Sequence, residues 1–131
     1  MVLLTKRLRQ ALLANGAHRG GLERDPVPVV KFFNPCGAAT WLATELDADG
    51  DTLFGLADLG FGCPELGSFS LAELAGVRNR FGLGIERDLH FSTRHRLSEW
   101  AEAARRAGSI TDGEKLLRRT PTNKLSDPSG D

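Results

Sequence analysis

Glu86, Asp88 and His90 alternate in FGLGIERDLHF, residues 81–91. Carboxylates and an imidazole are the side chains that hold divalent cations and move protons. On an extended chain alternate residues share a face at roughly 7 Å per step, so three of them grip one ion only with a further ligand from a neighbouring strand. Glu45, Asp58 and Glu65 could supply it. Glu86, Asp88 and His90 are therefore the catalytic candidates, and with Asp58 and Glu45 the metal-binding ones. The competing reading is a solvated sheet face with cross-strand ion pairs. Leu83, Ile85, Leu89 and Phe91 fall on the other side of the same strand, interrupted by Arg87. A charge at a core-facing position marks a strand end, a partner carboxylate or a bound anion.

Other patterns are weaker. Asp47, Asp49, Asp51 and Asp58 imitate a calcium-binding loop, but Gly50 occupies the fourth position where such a loop needs glycine at the sixth, so a solvated hairpin tip is expected. Cys36 and Cys63 have neither CxxC spacing nor a second pair, which argues for free, buried or half-buried thiols and against zinc. A thiol nucleophile with His90 as its base has no support in the spacing. No Walker loop, dinucleotide glycine motif or HExxH is present, and no cofactor is expected. Basic residues cluster at Lys6, Arg7 and Arg9, at Arg78 and Arg80, at Arg94 to Arg96, at Arg105 and Arg106, and at Arg118 and Arg119. Interleaved with exposed aromatics they would suit single-stranded nucleic acid, whereas Trp100 and the phenylalanines read as core. Arg87, Arg94, Arg96 and Trp41 are the candidate binding residues.

The elements that must position these residues follow from periodicity. Leu4, Leu8, Ala11 and Leu12 recur at helical spacing and Asn15-Gly16 closes the segment, an amphipathic helix. After the polar stretch with Gly20-Gly21, Pro26 and Pro28 lead into a strand at Val29 to Phe33. Thr40 to Leu46 and Thr52 to Leu59 flank an Asp- and Gly-rich turn and predict a hairpin apolar on both faces, hence covered on both. Residues 60–67 read as a loop. Ser70 with Glu73 forms a capping box for a short helix to about Arg78. The strand at 81–91 follows, and Ser98 opens a longer helix with Glu99 and Glu102 early, Arg105 and Arg106 late, and Gly108 as its stop. From Thr111 onward a polar tail is expected, with at most a helical turn at Glu114 to Arg118. Strands grouped together with helices around them predict an α+β domain over 1–110, a single antiparallel sheet of about four to five strands packed with helices, and a flexible tail over 111–131.

The chain has 131 residues, 17 basic against 17 acidic, so it has neither room for two comfortable domains nor the basicity of a protein that coats DNA. The balance hides a polarity: between Phe32 and Val77 there is no Lys or Arg, against seven acidic residues. That asymmetry predicts one negative and one positive surface, or else charges that interleave on folding; an acidic decoy of DNA is a weak third reading. No signal peptide and no apolar run long enough to span a bilayer is visible, which predicts a cytoplasmic protein without membrane contact.

The runs TWLATEL, PELGSFSLAEL and GIERDLHF, together with LLANG and EWAEAARRAGSI, make the chain resemble the bacterial family called domain of unknown function 2958, from Leu3 to about Ile110. The resemblance implies a setting on plasmids, integrative conjugative elements and phage-like islands, sometimes beside conjugation or anti-restriction genes. It brings no catalytic residues to carry over, and Cys63 stands where a larger residue is expected. The expectation is an accessory binding module for a protein or nucleic-acid partner; the alternative is a metal-dependent hydrolase or nuclease using Glu86, Asp88 and His90.

Overall fold

The computed structural model describes residues 2–18 and 25–119; the expected glycine-rich stretch at Gly20-Gly21 and the distal tail, 120–131, lie outside them. In chain order the elements are α1 (Lys6–Ala17), β1 (Val30–Phe33), β2 (Thr40–Leu46), β3 (Thr52–Asp58), β4 (Glu65–Ser70), α2 (Leu71–Gly76), β5 (Glu86–Arg87), α3 (Leu97–Ala107) and α4 (Ile110–Arg119). The strands make one antiparallel sheet in the order β4-β3-β2-β1-β5. The fold class is thus the α+β one that the grouping of strands predicts. Among the described residues no helix is long and apolar enough to cross a membrane.

Every residue of β2 is buried because the sheet is covered on both faces. On one, Leu12 of α1 and the flanking Leu3 and Leu4 pack with Phe32, Trp41, Ala43, Leu46, Leu53, Leu74 and Ile85. On the other, Leu42 and Leu56 meet Leu97, Trp100, Ala104, Ile110 and Leu117 of α3 and α4. Alternate residues of β2 therefore feed two cores, which is why the strand reads as a continuous apolar run. The helical pair is joined by Gly108, φ +91, whose N–H reaches Ala104 O at 2.7 Å, and it packs so closely that a Cβ on Gly113 would stand 2.8 Å from Ala104 N and Cα.

The aspartates explain how the helices are held. Asp51 Oδ1 accepts from Ala72 N at the start of α2, Asp25 Oδ1 from Ser98 N at the start of α3, and Asp58 Oδ2 from Ile110 N at the start of α4. Helix N-termini leave N–H groups without intrahelical partners and carry partial positive charge, so a carboxylate delivered from another segment satisfies both. Asp49 holds the hairpin tip by accepting from Asp51 N and Thr52 N. Three of the seven acids between Phe32 and Val77, Asp49, Asp51 and Asp58, are thus part of the scaffold. At the same turn Arg9 Nη1 donates to the Gly50 carbonyl, bringing a basic side chain from α1 to the acidic segment.

Five expectations need correction. The strand at 81–91 shrinks to Glu86–Arg87, because β1 offers only Phe32 and Phe33 as partners and residues 79–84 close on themselves. Residues 65–67, expected at the end of a loop over 60–67, open β4 (Glu65–Ser70); its Gly and Ser content hides the pattern, and the partner β3 imposes it. The helix expected to open at Ser98 starts at Leu97, with Asp25 supplying the cap. The segment after Thr111 is not a tail with one turn but α4 up to Arg119, with Ile110, Gly113 and Leu117 buried. Cys36 and Cys63 are free as expected, yet exposed rather than buried, since both lie in surface turns.

Candidate functional site

Pairing fixes which way the short strand β5 faces. Directly opposite residues of an antiparallel pair point to the same side; Phe32 faces the α1 core, so Arg87 opposite it does too, and Glu86 opposite Phe33 faces the α3–α4 side. Asp88 N donates to Lys31 O at 2.9 Å, continuing the ladder by one residue. The alternation in the sequence thus holds locally, over Ile85 to Asp88, and places Glu86 and Asp88 on one face.

That face opens into a cleft of about 660 Å³ lined by Glu86, Asp88, His90, Lys31, Thr40, Ser109 of the α3–α4 turn and Thr111 of α4. The three catalytic candidates therefore share a cavity. They do not form a metal cage: among the described residues no three His, Cys, Asp or Glu side chains gather as metal ligands would. Strand order gives the reason. With β5 at one edge, Glu45 on β2, Asp58 on β3 and Glu65 on β4 lie two, three and four strands away, roughly 10, 14 and 19 Å at the usual spacing. Asp58 is also 2% exposed, its oxygens accepting from Gly60 N and Ile110 N. Asp88 accepts from His90 N at 2.9 Å, a local turn that occupies one carboxylate oxygen, and His90 is exposed at the rim of the cleft. Its other oxygen lies 3.8 Å from Lys31 Nζ, and Lys31 reaches Glu114 at 3.5 Å. The lysine, 14% exposed, is neutralised from two sides and bridges the sheet to α4.

Arg87 resolves as an anchor. Its Nη1 donates to the carbonyls of Val2 and Leu3 at 3.0 and 2.8 Å, holding the segment before α1 against the sheet edge. On the core-facing side the guanidinium thus has backbone oxygens to satisfy it. Trp41 is 7% exposed, its ring packed within the α1 core. Arg94 lines a second cleft of about 490 Å³ with His95, Trp100 and Arg118, while Arg96 precedes α3 and its N–H donates to Glu99 Oε1.

The fold also builds a constellation that the periodicity does not predict. Residues 78–84 form a closed loop: Arg78 and Gly84 make an antiparallel bridge, Asn79 N donates to Leu83 O at 2.8 Å, and Gly82 N donates to Asn79 O at 2.9 Å. Asn79 Oδ1 accepts from Phe81 N and Leu83 N as well. Gly82 takes φ +81, where other residues are strained. At Gly84 a Cβ would meet Arg78 Nη1 at 2.5 Å. Arg78 Nη1 in turn donates to the carbonyls of Ala75 and Val77. This braced frame carries Phe81, 73% exposed, with the Arg80 guanidinium 5.1 Å from its ring centroid. The phenylalanines expected in the core therefore include two that are not, Phe81 and Phe61. The signal is present in NRFG, an Asn and a Gly flanking an Arg-Phe pair as the corners of a turn do.

A family model described as "Protein of unknown function (DUF2958)" matches residues 3–111. No curated protein and no solved structure matches the chain.

Proposed function

Because the chain belongs to the DUF2958 family, for which no reaction is defined, we propose that it is a binding module of mobile genetic elements and not a catalyst, and that the loop at 78–84 makes the contact. The observation that carries this reading is the exposed Phe81 ring with Arg80 over it, on a frame braced by backbone and Asn79 hydrogen bonds. Exposing a large aromatic costs solvation unless something covers it, and building a rigid support under it removes the entropic cost of ordering a loop on binding. An aromatic face beside a guanidinium suits a nucleic-acid base stacked on the ring with its phosphate near the cation. Arg94, Arg96 and Arg106 are exposed as well and add basic surface elsewhere on the chain.

The test is a fluorescence titration with single-stranded DNA at low and at moderate salt, together with a pull-down from a host carrying such an element. Phe81→Ala should leave the unfolding midpoint unchanged and weaken DNA binding roughly tenfold or more, as loss of a stacked base does. Absence of binding at low salt and of any captured partner, or binding indifferent to Phe81, would refute the reading.

A further inference from the structure

We propose that the outer edge of β4 is a self-association surface, on which a second copy of this chain adds its own β4 antiparallel to form a continuous ten-stranded sheet. This is independent of the loop at 78–84.

The two edges of the sheet are built differently. At one end β5 contributes only two residues, beside the anchored N-terminal segment. At the other, β4 runs six residues, Glu65–Ser70, with β3 on its inner side and no described strand on its outer side. Natural sheets guard such an edge with lysine, proline, a bulge or a very short strand, because unpaired N–H and C=O groups capture another strand. Between Glu65 and Ser70 there is no lysine and no proline, the register with β3 is unbroken over six pairs, and the single charge sits at the strand's first residue.

The hydrogen-bond phase says which groups are free. Leu71 N donates to Asp51 O, one step beyond the Thr52–Ser70 pair of the same register. Hydrogen-bonded pairs alternate along an antiparallel ladder, so Phe69, Gly67 and Glu65 bond inward to β3 while Leu66 and Ser68 present both N–H and C=O outward. Leu66 is 47% exposed.

Self-pairing across a twofold axis perpendicular to the sheet keeps equivalent faces on the same side and puts one residue opposite itself. If that residue is Gly67, Leu66 and Ser68 of each copy become hydrogen-bonded partners of Ser68 and Leu66 of the other, and every outward group named above is satisfied. The close, non-hydrogen-bonded central position falls on two glycines, where a Cβ would meet nothing within 4 Å in the single chain. Glu65 lies opposite Phe69, so the only two like charges sit at opposite ends of the ribbon. The antiparallel arrangement also lays the turn bearing Leu59 and Phe61, 56% and 81% exposed, alongside the start of the other copy's α2. Complementarity of this edge to itself, in hydrogen bonding, sterics and charge, selects a second copy as the occupant over an unrelated strand.

Sedimentation equilibrium of the full chain across a concentration series reads the association directly, with twice 14.2 kDa expected for the dimer. Ser68→Pro removes an outward N–H without touching the β3 ladder, and should weaken dimerisation roughly tenfold or more while circular dichroism stays native. Gly67→Cys, in a background with Cys36→Ser and Cys63→Ser, should form an intermolecular disulfide with diamide, because the paired Cα atoms would stand about 4.5 Å apart; this arm holds even if the proline variant fails to fold. A wild-type chain that stays at 14.2 kDa throughout, a dimer untouched by Ser68→Pro, or a Gly67→Cys chain that does not crosslink would overturn the proposal. A monomer would leave the edge to a strand of a different protein.

Discussion

Replacing Asp58 with alanine should unfasten α4 from the sheet. The carboxylate is 2% exposed at the end of β3, and it accepts from Ile110 N at 2.8 Å and from Gly60 N at 2.9 Å. Ile110 is the first residue of α4, and Ser109 Oγ caps Asp112 N beside it. Alanine removes both of these acceptor oxygens, which strands the N–H of the buried Ile110, whereas the N–H of the exposed Gly60 can turn to water. A hydrogen bond to a charged group contributes about 1.5–3 kcal/mol and a helix cap about 1, and the two are not additive here, so the loss should be about 2–4 kcal/mol. For a domain of this size that lowers the unfolding midpoint by about 8–15 °C. The milder change Asp58→Asn keeps one acceptor but turns an amide NH2 toward the second N–H, and should cost about half as much. Urea unfolding followed by tryptophan fluorescence measures the total, since Trp100 lies in the core that α4 covers. Hydrogen exchange then localises it: amides of α4 should lose protection before those of β2. A loss under about 0.5 kcal/mol in Asp58→Ala, or equal exchange in α4 of variant and wild type, would show that the helix is held by packing alone.

Two further perturbations test the scaffold. Arg87→Ala removes the donors to the Val2 and Leu3 carbonyls, which should cost about 1–2 kcal/mol and raise proteolytic nicking before α1; an unchanged cleavage pattern would show that the anchor is idle. Gly113→Ala puts a methyl 2.8 Å from Ala104 N and Cα, so α3 and α4 must part, with an expected loss of about 1–3 kcal/mol in chemical denaturation; a neutral result would mean that the helices slide apart freely.

The fate of the Asp, Glu and His row shows where local pattern stops. Alternation places Glu86 and Asp88 on one face correctly, because side-chain direction along an extended chain is a local property. The length of the strand is not local. A strand persists only while a neighbour supplies its ladder, and β1 pairs with two of its residues, while Asn79 and the Arg78–Gly84 bridge hold the residues before them and the turn at Asp88 those after. The same reasoning applies in reverse to β4, where a sequence with little strand character is extended because β3 lies beside it. The candidate cleft is legible in the sequence as a cluster of residue types and not as a cavity, since Ser109 and Thr111 reach it from the far end of the α3–α4 pair.

What the sequence by itself determined was periodicity: the amphipathic α1, the hairpin of β2 and β3 buried on both sides, the capping Ser70, the stop at Gly108, and hence an α+β domain. What only the tertiary structure decided was the use of its charges. Asp25, Asp51 and Asp58 each cap a helix whose start lies 73, 21 and 52 residues further along, and Arg87 holds carbonyls 85 and 84 residues away. Hydrophobic burial acts through a repeating pattern that a short window contains, whereas a buried carboxylate needs one particular donor, and which donor arrives is fixed only when the whole chain has closed.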